Sequence, residues 1–258
     1  MKTVFIGAGN VATRLAIELH RHDFDIIQIY SRTLESASAL SEKVQALPVT
    51  DIESIIPDAD LYMFCVKDSV LEELIKQIPG NNGLWIHTAG SMPMDIFKNH
   101  TSKYGVLYPF QTFSKNREID WKNIPLFIEA SGNNQLDLLT AIAGQLSEKV
   151  QVVSSEKRKY IHLTGVFACN FTNHMYTLSN MMLDKAGLPL ETALPLIEET
   201  CNKIHTLSPM EAQTGPAVRY DKNAIEKHLA LIEDEQIREI YKLISENIHN
   251  IHNQNKEL

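Results

Sequence analysis

Thr3-Val4-Phe5-Ile6-Gly7-Ala8-Gly9-Asn10-Val11-Ala12-Thr13-Arg14-Leu15 decides the fold. Val4, Phe5 and Ile6 are apolar with no charge among them, the pattern of a strand covered on both faces of a parallel sheet. Two glycines follow at once, and an apolar helical pattern begins at Val11. Strand, glycine turn and helix start therefore come in the order that a dinucleotide site requires. Gly7 permits the tight turn, Gly9 lets the backbone approach a pyrophosphate, and Ala12 takes the third small position, where helix and strand pack closely. The helix N-terminus turns free N–H groups and a partial positive charge toward the phosphates.

Working outward, a second strand, 25–30, ends in Ser31-Arg32-Thr33. A carboxylate at this place would accept from the ribose 2′-hydroxyl and select NAD; a cation between two hydroxyls suits a 2′-phosphate, so the expected cofactor is NADP. The alternative reading of Arg32 is a solvated charge at a helix start. A third strand, 61–66, leads into Val66, Lys67 and Asp68, expected to border the cofactor, with Asp68 equally suited to cap the next helix. Thr50-Asp51-Ile52-Glu53 and Ser69-Val70-Leu71-Glu72 both have capping-box spacing. The strand 84–86 opens into His87-Thr88-Ala89-Gly90-Ser91. Ligands in open α/β sheets bind beyond the carboxyl ends of strands. Thr88, Ala89 and Gly90 are accordingly assigned to the cofactor, and His87 and Ser91 to the substrate. Strands and helices alternate to about residue 154. The expected fold is α/β, a Rossmann-type doubly wound, mostly parallel sheet over 1–154, followed by a smaller all-helical domain over 155–258.

Composition sets bounds on partners. The 258 residues carry a net charge of −8, which argues against nucleic acid or an anionic membrane as a main partner. Cys65, Cys169 and Cys201 lie far apart in apolar runs without metal-ligand spacing, so reduced thiols, no metal and a cytoplasmic location are expected. A strand beginning at residue 3 leaves no room for a signal peptide. Residues 160–183 hold no Asp, Glu, Lys or Arg, but His162, Asn170, Asn173, His174 and Asn180 make this a helix for burial in protein rather than in lipid.

On a helical wheel Lys159, His162, Val166, Asn170, Asn173 and Thr177 share one stripe. Uncharged polar groups on an apolar helix either pair internally or line a cavity. In the second case His162 or Lys159 moves the proton that accompanies hydride transfer, while Asn170 and Asn173 orient a carbonyl or carboxylate. In the first case they are contacts between helices or subunits. His174 and Cys169 are assigned to packing. Arg219, the single cation in Thr214–Asp221, either pairs with Asp221 or Glu226 or binds an anionic substrate.

Gly7–Ala12 with Ser31–Thr33 resembles pyrroline-5-carboxylate reductase, the β-hydroxyacid dehydrogenases and the deazaflavin-dependent NADP oxidoreductases. His87–Ser91, Tyr108–Phe113, Tyr160–Asn170 and Thr214–Asp221 extend the likeness to a two-domain family of NADP oxidoreductases with a C-terminal domain of unknown function. The resemblance implies NADP at Gly7, Gly9, Asn10, Val11, Ala12, Ser31, Arg32 and Thr33, and a homodimer formed through the helical domain. The β-hydroxyacid dehydrogenases carry a catalytic Lys one turn before an Asn on the long helix; no Lys stands one turn before Asn170 here. The expected activity is hydride transfer to or from a small polar C=O or C=N group in the interdomain cleft. The alternatives are a non-catalytic NADP(H) sensor or partner-binding module and a reductase that also binds a deazaflavin.

Overall fold

A computed structural model describes residues 1–254. The chain forms two compact units, Met1–Asn170 and Phe171–Leu258.

In the first unit eight strands form one sheet in the order β3-β2-β1-β4-β5-β6-β7-β8. They are β1 (Lys2–Ile6), β2 (Asp25–Tyr30), β3 (Leu47–Val49), β4 (Leu61–Phe64), β5 (Leu84–His87), β6 (Tyr104–Pro109), β7 (Leu126–Ala130) and β8 (Val150–Val152). All neighbouring pairs are parallel except β6 and β7. The short β3 was not expected from the sequence: Pro48 stands within it, and it pairs with β2 at one edge of the sheet, where a missing N–H is tolerated.

Side chains alternate between two apolar layers. Phe5, Met63 and Ile86 face the layer that holds Ala12, Leu15 and Leu139 of α1 (Asn10–Arg21) and α4 (Asn133–Leu146). Val4, Ile6, Phe64 and Trp85 face the other, with Leu71 and Ile75 of α3 (Asp68–Gln77) and the Phe97 ring. Burial on both faces is why these strands read as unbroken apolar runs. A segment between β6 and β7 folds over the first layer, where Phe113, Trp121 and Ile124 are buried.

Two helix starts differ from expectation. The turn Ile52–Ser54 is capped by Asp51, whose carboxylate accepts from the Glu53 N–H at 3.0 Å, rather than by Thr50. Helix α3 begins at Asp68 with Lys67 as its N-cap and no side-chain cap, so neither Asp68 nor Ser69 caps it. Asp68 is instead free to accept from the Ser91 hydroxyl.

After β8 the chain enters α5 (Ser155–Gly165), capped by Ser154, and continues through a π-helical segment, Val166–Phe171, into α6 (Thr172–Lys185). The second unit adds α7 (Leu194–Lys203), α8 (Pro209–Ala212), α9 (Pro216–Arg219), α10 (Lys222–Leu231) and α11 (Glu235–Gln254). Helix α8 has the Ser208–Glu211 capping box and α10 the Asp221 cap, both as the sequence predicts. No helix among the described residues is long and apolar enough to cross a membrane.

Candidate functional site

Strand register assembles the site. Ile6, Phe64, His87 and Val106 are successive partners across β1, β4, β5 and β6, which all run the same way. The segments that follow them therefore leave the sheet along one edge. At about 4.8 Å per strand, that edge spans roughly 14 Å from β1 to β6.

At the β1 end lies a groove of about 670 Å³ lined by Gly7, Gly9, Ser31, Arg32, Ser36, Val66, Lys67 and Lys115, among others. Gly7 has φ +116°, in the left-handed region, and a Cβ there would collide with the Cys65 carbonyl. Above Gly9 a Cβ would meet nothing within 4 Å. Gly9 is the N-cap of α1 and offers no side-chain cap, so the first N–H groups of the helix face the groove without a side-chain partner. An open floor of backbone donors with a cation beside it fits a dinucleotide phosphate chain.

Arg32 is exposed, makes no ion pair among the described residues, and lines this groove with Ser31 and Ser36. Lys115, from the segment between β6 and β7, joins it. No local pattern marks Lys115, because it arrives from 83 positions along the chain after Arg32. Thr33 is taken up as the N-cap of α2 (Leu34–Val44), accepting from Ser36 N at 3.4 Å. Ala12 is fully buried, Val11 packs against the core, and Asn10 is the exposed first residue of α1.

At the β6 end is a cavity of about 340 Å³, lined by Tyr108, Phe110, Gln111, Thr112 and, from the helix, His162, Gly165, Ala168, Cys169 and Asn170. Tyr108 Oη lies 3.0 Å from His162 Nδ1. Burial pushes the phenol up to about 12; the nearby Arg158 charge opposes the shift and Asp68 adds to it. Gly90 makes room for the imidazole: a Cβ there would come within 2.5 Å of His162 Nδ1. Gly165 makes room for Phe110, whose ring lies 3.0 Å from where a Cβ would stand.

The helical stripe read from the sequence is only partly correct. Wider turns in the π segment change which side chains share a face. Asn170 and Cys169 reach the cavity; Val166 does not. Lys159 is also absent from the wall and pairs with Glu156 at 2.7 Å. Asn173 and Arg219 are exposed residues of the second unit, and Arg219 makes no ion pair with Asp221 or Glu226.

The loop after β5 behaves differently from its reading as a ligand surface. His87 is fully buried; its Nδ1 accepts from Ala89 N at 3.2 Å, and its ring packs on Phe97. It cannot touch substrate from there. Desolvation, and then the Arg158 charge, hold its imidazole down at about 3. Thr88 hydrogen-bonds the Cys65 thiol and Ser91 donates to Asp68. A histidine depressed in the folded state contributes stability that is fully present above its unfolded value near 6.5 and is lost as pH falls toward 3. Replacing His87 by Asn is expected to flatten the acid limb of a urea-denaturation series, by about 2 kcal/mol at pH 5. Equal pH slopes for the two proteins would refute this.

Arg158 was not singled out by the sequence, yet it is wholly buried. It donates to Glu129 at 2.6 Å, to the Met92 carbonyl at 2.6 Å and to Ser155 Oγ at 3.2 Å. Ser155 in turn donates to Glu129 through Oγ, at 2.6 Å, and through N, at 2.9 Å. The network ties β7, the loop after β5 and the first turn of α5 together, one turn below His162.

Comparison with known proteins follows this geometry. A family model described as NADP oxidoreductase, coenzyme F420-dependent, matches residues 2–86, and one described as a domain of unknown function (DUF2520) matches residues 124–248. The crystal structure of BF3122 from Bacteroides fragilis, assigned as an NADP oxidoreductase, is 50% identical, with a TM-score of 0.93 over 96% of this chain and 98% of that one. Protein TM1727 from Thermotoga maritima is 22% identical, with a TM-score of 0.70 over 98% and 99%. An imine reductase from Myxococcus stipitatus in complex with NADP+ is 15% identical, with a TM-score of 0.66 over 100% and 94%. No curated protein matches the chain.

Proposed function

The chain belongs to the NADP oxidoreductase family of its Bacteroides fragilis relative, and on that premise we propose that it reduces, or forms by oxidation, a small C=O or C=N compound in the cavity beside His162. The observation that carries this reading is the Tyr108–His162 pair on the wall of an open cavity, at the same sheet edge as the glycine groove. Gly7, Gly9 and the α1 N-terminus would hold the pyrophosphate of NADP, and Ser31, Arg32, Ser36 and Lys115 its 2′-phosphate. Bound NADPH supplies a hydride, one hydrogen with two electrons, to the electrophilic carbon.

The chain's own part is the proton. The substrate heteroatom, which gains the electron pair of the double bond, takes its proton from the Tyr108 hydroxyl. That hydroxyl stays protonated throughout the neutral range. His162 then returns a proton to the phenolic oxygen through Nδ1 and takes one up from water at Nε2. Asn170 and Gln111, on the same wall, offer amide donors that orient the heteroatom. In the oxidative direction the same groups accept the proton. An open, partly polar cavity supports turnover over a cofactor sensor.

The helical unit supports a homodimer reading. It leaves Leu196 and Leu231 about 70% exposed and Leu243 64% exposed. A second copy of the chain would cover such side chains.

Direct titration tests the cofactor. NADPH is expected to bind at least ten-fold more tightly than NADH, and Arg32→Ser to remove about ten- to a hundred-fold of NADPH affinity with little effect on NADH. Light scattering on the same sample is expected to give twice the 29.2 kDa chain mass. Binding of neither nucleotide would overturn the functional reading, and a monomeric mass the dimer.

A further inference from the structure

Resting on that reading, we propose that the cavity beside His162 selects an uncharged carbonyl compound, or the imine formed from one, and discriminates against carboxylates. None of its nine lining residues is Asp, Glu, Lys or Arg. Phe110, Ala168 and Gly165 give it an apolar side; Gln111, Thr112 and Asn170 give it neutral polar groups.

Of the three cations on the helix that walls the cavity, two are engaged and the third, Lys157, is not on the cavity wall. Arg158 is buried and held by Glu129 and the Met92 carbonyl, and Lys159 is held by Glu156. A carboxylate entering the cavity would give up its hydration with no Lys or Arg on the wall to replace it, which is strongly unfavourable. A ketone, aldehyde or imine needs only a hydroxyl and an amide, both present at Tyr108 and Asn170. The volume of about 340 Å³ is at the low end for ligand sites, and the substrate is correspondingly small. Gly165 contributes to the selection, since it allows the Phe110 ring to lie against the helix rather than across the cavity.

Cys169 gives a readout that does not depend on turnover, because its thiol is on the cavity wall. Cys65 is buried, and its thiol is pushed up to about 12 by desolvation, so it reacts poorly. In a Cys201→Ser background with NADPH bound, alkylation of Cys169 by iodoacetamide is followed by mass spectrometry. The competitors are cyclohexanone and 2-pentanone, against 4-oxocyclohexanecarboxylate and 4-oxopentanoate. The neutral ketones are expected to protect Cys169 at about ten-fold lower concentration than the matched acids.

Equal or better protection by the acids overturns the proposal. Protection by neither class, with NADPH binding intact, also overturns it while leaving the oxidoreductase reading in place. Loss of NADPH binding itself would instead count against that reading.

Discussion

His162→Ala is expected to lower kcat by about 10²–10⁴-fold, the range for removing a positioned acid or base, and to leave NADPH affinity unchanged. The imidazole sits 3.0 Å from the Tyr108 hydroxyl on the cavity wall and is not among the residues lining the nucleotide groove. Tyr108→Phe is expected to cost a similar factor, since it removes the group that delivers the proton. The two losses should not multiply. Once the phenol is gone the imidazole has nothing to recharge, so the double variant should resemble the worse single one. Rates within two-fold of the parent for both single variants would end the assignment; multiplying losses would show that the residues act separately.

Arg158→Met is expected to destabilise the fold by about 3–5 kcal/mol, because it leaves a carboxylate mostly out of water with its counter-ion removed. Glu129 is only 17% exposed through its side chain and receives three donors from Ser155 and Arg158. Glu129→Gln in the Arg158→Met background should recover a large part of the loss, since an amide needs no counter-ion. Urea denaturation of the four proteins reads the cycle directly. A loss below about 0.5 kcal/mol would place Arg158 with ordinary surface charges. Its expected effect on activity is indirect, through the footing of α5 and hence the aim of His162.

Arg158 also shows where the sequence stops being legible. In Ser155-Glu156-Lys157-Arg158-Lys159 it looks like any charge in a solvated first turn. Only the β7 carboxylate and the β5 loop, 29 and 66 positions away, make it a core residue. The glycine loop was legible because its chemistry is local: strand, turn and helix start fall within thirteen residues. The caps at Ser208 and Asp221 were legible for the same reason. His87 was misread because a polar residue at a strand end was taken for a ligand contact, whereas its ring packs inward on Phe97. Cys169 was misread because a wheel drawn at constant pitch does not survive the wider turns of Val166–Phe171. Tyr108 has no local pattern that announces its role, because its partner stands 54 residues later.

The reversal of the last two strands has a consequence for the order of assembly. Residues 2–77 hold β1 to β4 and every residue that lines the glycine groove except Lys115. The proton-donating pair waits for β6, the antiparallel return through β7, and α5, all later along the chain. On a chain emerging from a ribosome, the nucleotide end takes shape first and the reacting end last. A nascent chain therefore passes through a stage in which the glycine loop and its strand are in place while the Tyr108–His162 pair has yet to form.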